Sequence, residues 1–170
     1  MALNIPLTLA LLLVGNSALA AEPPSVATPT PPAAMTSTTR TIQGSFDVQL
    51  TPVPATPGVE RAPIEHLLLR KQFHGDLQAS SLGDMLAFRS PVKGSAGYVA
   101  MERIEGRLEG RSGSFVVMHI GEMSGGSQQL TVRVVPDSGT GELTRLSGTM
   151  TLDVRDGKHR YEFHYQLPER

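Results

Sequence analysis

The sequence predicts an all-β fold in which eight antiparallel strands close into a barrel. Three observations carry that expectation. From Thr41 onward the chain consists of short runs rich in Val, Leu, Phe and Thr, separated by Gly, Asp and Ser, which is the composition and punctuation of strands and turns. No stretch sustains a helical period. The connections carry tight-turn residues, so successive runs can pair as hairpins, and closing the sheet removes its exposed edges. A two-sheet sandwich is the competing arrangement of the same strands.

Residues 1–20 read as a cleavable signal peptide. An apolar stretch from Ile5 to Val14 is followed by a polar break at Asn16 and Ser17 and by small residues ending in Ala18-Leu19-Ala20, the pattern that a signal peptidase cuts. The short n-region holds no Lys or Arg and takes its positive charge from the α-amino group. A membrane-spanning helix needs about 20 apolar residues; Gly15 and Asn16 interrupt this one early, so no stable membrane insertion is expected after cleavage. The expected location is exported, periplasmic or secreted. Residues 21–40 are Pro, Thr, Ala and Ser with almost nothing apolar to bury, a flexible disordered leader. Residues 41–170 are expected to form one barrel domain.

Strands are expected at 41–51, 64–75, 76–90, 96–108, 113–123, 128–136, 147–155 and 159–167. Arg155-Asp156-Gly157-Lys158 is a two-residue hairpin turn, and Gly110-Arg111-Ser112-Gly113 is a second glycine-bearing connection. Ser80-Ser81 and Gly125-Gly126 read as loops or bulges. The stretch Gly139 to Leu146 has room for one short helical turn.

Composition narrows the functions. The chain carries a net charge of −1 and no Cys. Lipid attachment at a lipobox Cys, disulfides and thiolate chemistry are therefore excluded. No Lys/Arg cluster forms the basic patch that displaces counterions from nucleic acid, so nucleic acid is not an expected partner. His66, Arg70 and His74 share one strand face, and Arg160, Glu162 and His164 share another; these spacings fit solvent-facing positions, and no metal site or cofactor is expected.

The most informative chemistry lies on the central hairpin. A turn at Gly110-Arg111 places Glu102 opposite His119, Ile104 opposite Val117, and Gly106 opposite Phe115, with Phe115 covering the bare glycine. Glu102 and His119 then share a mostly apolar face with Tyr98, Ala100, Ile104, Phe115 and Val117. An acid-base pair in an apolar lumen raises a carboxyl pKa or holds an imidazole in one tautomer. Glu102, His119 and Tyr98 are accordingly the candidate catalytic or anchoring residues, and Ile104, Phe115 and Val117 the candidate ligand-contacting ones. The alternative is a structural ion pair, or a register shifted by one.

Two motifs carry less. Asp137-Ser138-Gly139-Thr140 matches the D-S-G-T string of aspartic proteases, but that chemistry needs two such Asp residues, and a turn in which Asp137 and Ser138 cap local amides accounts for it. Ser112 fails the G-x-S-x-G elbow and reads as a turn residue. Gly139-Thr140-Gly141 lacks the Lys-Ser/Thr of a phosphate loop.

The strings Gly97-Tyr98-Val99-Ala100-Met101-Glu102-Arg103-Ile104-Glu105-Gly106, Gly110-Arg111-Ser112-Gly113-Ser114-Phe115 and Val134-Val135-Pro136-Asp137-Ser138-Gly139-Thr140-Gly141-Glu142-Leu143 closely resemble a bacterial family known as domain of unknown function 3224. Phe73-His74-Gly75-Asp76-Leu77 and Tyr161-Glu162-Phe163-His164-Tyr165-Gln166-Leu167 fit it as well. The resemblance covers Thr41 to Leu167. It implies an allene oxide cyclase-like barrel of eight antiparallel strands and supplies no activity. This chain departs from the common form in its signal peptide and leader and in having no Trp. Three functions stand as expectations: binding of a small apolar ligand in the barrel, cofactor-free isomerase or cyclase chemistry as implied by the resemblance, or a structural or interaction domain with a filled lumen. Apolar surface on the outside of the barrel would point to a homo-oligomer.

Overall fold

A computed structural model of the chain describes residues 38–169 apart from 56, 59 and 61. The expected signal peptide, residues 1–20, and leader residues 21–37 lie outside the described residues. The remainder forms eight strands: β1 (Thr39–Pro52), β2 (Glu65–Gly75), β3 (Leu77–Arg89), β4 (Ala96–Leu108), β5 (Arg111–Ser124), β6 (Ser127–Val134), β7 (Ser147–Arg155) and β8 (Lys158–Gln166). One 3-10 turn, Gly141–Leu143, sits between β6 and β7. Each strand pairs antiparallel with its neighbours in sequence, and β1 also pairs with β8, so the sheet closes into a barrel. The sandwich alternative is thereby excluded.

Alternation along the strands builds the interior. In β2, Leu67, Leu69, Lys71 and Phe73 are buried, while Arg70, Gln72 and His74 face solvent. A period of two puts every second side chain on one face of a strand. The barrel has two unlike ends. At the first, near the β2–β3 and β4–β5 turns, Leu77, Leu108, Leu143, Leu146, Phe163 and Tyr165 are each no more than 2% exposed. Leu143 and Leu146 come from the segment around the 3-10 turn and plug that end. At the second end, Leu50, Leu130 and Val154 lie on the inward side of their strands by alternation yet remain 46%, 36% and 59% exposed.

The wall is uneven. β4 and β5 pair continuously from Ala96↔Met123 to Leu108↔Arg111, whereas β6 and β7 are in register only at Val132↔Met150 and Arg133↔Thr149. Toward the second end these two strands diverge, leaving a seam between Leu130 on one side and Leu152 and Val154 on the other.

The β4–β5 register differs from expectation by two positions. The turn residues are Glu109 and Gly110, both at positive φ (46° and 78°), as the preferred two-residue hairpin turn requires. Glu102 therefore pairs with Val117, His119 with Ala100, Phe115 with Ile104, and Gly106 with Gly113. A shift of two preserves which face each side chain occupies. Aromatic cover of a strand glycine does occur, but at Gly121, whose cross-strand partner is Tyr98; a Cβ at Gly121 would lie 2.1 Å from the Tyr98 ring. Ser112 belongs to β5, and Ser80 and Ser81 are regular positions of β3, with Ser81 paired to both Lys71 and Ile104. Pairing on both sides overrides their loop propensity.

The D-S-G-T segment seals an edge. β6 reaches only as far as Val117 along β5, which leaves the first residues of β5 without a strand neighbour on that side. Side-chain oxygens at alternate positions substitute for one. The amides of Ser112, Ser114 and Val116 donate to Glu142 Oε2 (2.9 Å), Thr140 Oγ1 (3.0 Å) and Ser138 Oγ (3.1 Å). Asp137 occupies the turn with φ of 58°, so the string is structural; the one amide that Ser138 accepts from, Val116 N–H, lies on the neighbouring strand, while its hydroxyl donates locally to the Val135 carbonyl at 2.7 Å.

Candidate functional site

Four polar side chains from four consecutive strands meet inside the barrel. Inward parity brings Lys71 from β2, Ser81 from β3, Glu102 from β4 and His119 from β5 to one level, and the carboxylate of Glu102 is the hub. Lys71 Nζ donates to its Oε2 at 2.8 Å, His119 Nε2 lies 2.9 Å from the same oxygen, and the Ser81 hydroxyl donates to Oε1. Glu102 is 0% exposed, His119 3%, Lys71 7% and Ser81 9%. Glu102 and His119 meet although they are diagonal rather than directly opposite, because diagonal neighbours on one sheet face remain within reach of long side chains.

Local sequence makes room for this cluster. Gly83 stands opposite Glu102; a Cβ there would lie 2.4 Å from the Met101 carbonyl oxygen and 2.9 Å from Glu102 Cα. The Lys71 ammonium also sits 5.1 Å from the Phe46 ring centroid and 5.8 Å from that of Phe73, within cation–π range. Taking charges out of water is costly, and a buried pair is tolerable only when its remaining hydrogen-bonding capacity is met. Both carboxylate oxygens of Glu102 have donors.

The electrostatics reverse one expectation. Burial pushes the Glu102 carboxyl up, but the His119 hydrogen bond, the Lys71 charge and hydrogen bond and the Ser81 hydroxyl outweigh it and hold the group at about 2. The apolar lumen therefore does not yield a raised carboxyl pKa. Glu102 is a fixed anion, which obliges Nε2 of His119 to carry its proton and donate, since an ionised carboxylate only accepts. Tyr98 lies nearer the second end, half-buried over Gly121, and burial together with the Glu102 charge raises its hydroxyl pKa.

Ile104, Phe115 and Val117, expected to touch a ligand, are each 1% exposed. Phe115 stacks on Phe163 with ring centroids 5.8 Å apart. They form the packed floor beneath the cluster rather than an accessible wall. Sequence reasoning missed Lys71 and Ser81. Both could have been found by parity: Lys71 is the polar member of an inward row with Leu67, Leu69 and Phe73, and Ser81 of one with Leu77 and Ala79.

Among the described residues no group of three or more His, Cys, Asp or Glu side chains is placed to hold a metal. His66 and His74 instead face outward against Asp84 (2.8 Å) and Asp47 (2.9 Å), and His164 contacts Glu162 (2.7 Å) and Thr41 (2.9 Å). Two open concavities of about 940 and 350 Å³ lie along the outside of the wall, by Arg160 and Glu162 and by Arg133 and Pro136 respectively. Neither includes a member of the lumen cluster.

Fold and site together define a class: a closed antiparallel barrel of eight strands, plugged at one end, with an ionic cluster buried in its lumen. A family model described as "Protein of unknown function (DUF3224)" matches residues 42–165. A crystal structure of a protein with unknown function from this family, from Shewanella oneidensis MR-1, is similar at 46% sequence identity and a TM-score of 0.71, covering 78% of this chain and all of that one. The chain belongs to the DUF3224 family. No curated protein matches it.

Proposed function

We propose that the domain binds one small, mostly apolar molecule at the open end of its barrel, and that it does so outside the cytoplasm. One observation carries the binding reading: Leu50, Leu130 and Val154 face inward by strand alternation yet stay 36–59% exposed, while the opposite end is packed shut. Small-molecule sites combine an apolar lining with a few fixed polar groups, and these three side chains together with Tyr98 offer that combination. Tyr98 supplies a hydroxyl on the inward face of β4, above the buried, hydrogen-bonded cluster of Glu102. The export reading is supported by the character of residues 1–20.

The geometry favours binding over cyclase chemistry. A general acid or base needs a pKa near the working pH and access to the reacting atom. Glu102 is held near 2, fully buried, and committed to three partners.

The test uses the apolar fluorophore N-phenyl-1-naphthylamine with the purified full chain. Binding is expected, weakened at least ~10-fold by Leu130→Glu and by Val154→Glu; both positions are exposed, so circular dichroism should show the fold retained. Absence of binding, or equal binding by both variants, overturns the reading in favour of a structural domain with a filled lumen. N-terminal sequencing of the natively produced protein tests export. The mature chain is expected to begin at Ala21, and a cytosolic product that retains residues 1–20 overturns it.

A further inference from the structure

The outside of the barrel holds a feature that the ligand reading does not use. On the outer face of β3, β4 and β5, Leu82, Leu86, Phe88, Val99, Met101 and Ile120 are 47–51% exposed. Five of them are contiguous, Leu86 pairing with Val99 and Val99 with Ile120, with Phe88 next to Leu86 and Met101 next to Val99 along their strands; Leu82 stands beyond Asp84, which pairs with Met101. Six large apolar side chains left half uncovered present on the order of 500 Å² of apolar surface, near the upper end of what a monomer shows. With its polar rim the face approaches the ~800 Å² per partner of a stable interface.

We infer that this face is a two-fold interface between two copies of the chain. The surface is the outer side of a continuously paired sheet, and two such sheets pack face to face with their apolar side chains interdigitated. In an isologous contact the patch must be its own complement. Here the rim charges meet that requirement for one orientation. Arg103 on β4 and Arg70 on β2 flank Leu82 at one end of the face, and Glu122 lies at the Phe88 end, opposite Gly97. A two-fold axis running across the strands lays the Arg103 end of one copy over the Glu122 end of the other. An axis along the strands would set like charges together, which electrostatic complementarity disfavours. The charges are mixed, with Glu105 paired to Arg103 at the rim and Asp84, paired to His66, set within the face opposite Met101, which differs from the uniformly basic border that an anionic membrane surface attracts.

The test is analytical ultracentrifugation of the full chain, with residues 38–170 run in parallel, since the Shewanella relative shows that a chain of the barrel's extent folds by itself. Both are expected to sediment as dimers at ~100 µM, with Val99→Lys and Glu122→Arg each raising the dissociation constant at least ~100-fold, and with Arg103→Glu/Glu122→Arg recovering dimerisation. All positions are exposed, so unchanged circular dichroism separates loss of contact from loss of fold. Monomeric wild type, a mass of three copies, dimerisation indifferent to Val99→Lys, failure of the charge swap to recover it, or a monomer that co-sediments with anionic phospholipid vesicles each overturns the proposal. Binding of N-phenyl-1-naphthylamine by Val99→Lys stays at the wild-type level, so the two readings fail separately.

Discussion

Glu102 is a buried charge made tolerable by its neighbours, and it constrains them in turn. Removing one member of a fully paired buried cluster leaves the others uncompensated, at a cost of about 3–5 kcal/mol. Lys71→Met is therefore expected to destabilise the fold by that amount in denaturant melts, with Lys71→Met/Glu102→Gln costing less than the sum of the single changes, as a double-mutant cycle will register. The carboxyl also sets an acid dependence. Its pKa falls from the ordinary 4.5 to about 2 on folding, so its stabilising contribution is complete above pH 4.5 and drains away as the pH drops through about 2. Glu102→Gln lacks this dependence, and the slope of denaturation midpoint against pH between those values should flatten relative to wild type. The hub of this cluster was legible in the sequence because Glu102 and His119 lie on one hairpin and share parity in any register that moves by two. The inward place of Lys71 was legible only from the parity of Leu67, Leu69 and Phe73, against the ordinary tendency of a lysine to face water; its pairing with Glu102 was not, because that partner stands two strands away, beyond the reach of any local turn.

At the level of elements, strand positions were legible within a few residues, since alternation and turn chemistry are both local. The register of β4 against β5 was not, because two overlapping turns are available around Gly110, and the choice falls to Glu109 accepting positive φ. The edge of β5 was equally hidden: nothing local in Asp137-Ser138-Gly139-Thr140 says that its hydroxyls will meet amides more than 20 residues earlier. That arrangement has an energetic signature. Ser138→Ala and Thr140→Ala each orphan a backbone donor of β5, and each should cost about 1–3 kcal/mol, measured by chemical denaturation. A loss within a few tenths of a kcal/mol would show that water serves these amides as well as the hydroxyls do.

For the whole molecule, closure is what the strand count and turn signals foretold, and the difference between the two ends is what they could not, because it depends on Leu143 and Leu146 folding back from the β6–β7 connection to plug one mouth. The same connection leaves β6 and β7 joined at two positions only. Amide protection follows local opening rather than overall stability, so hydrogen exchange measured by mass spectrometry is expected to label 127–131 and 151–155 well before 98–108 and 113–121. Uniform protection around the barrel would contradict that order. A ring with one weak joint behaves under load like a split collar: it can spread without any of its other seven joints parting. For this chain the spreading point lies between Leu130 and Val154, beyond the last paired positions of β6 and β7, while the continuously paired arc from β2 to β5 holds the charged cluster in place.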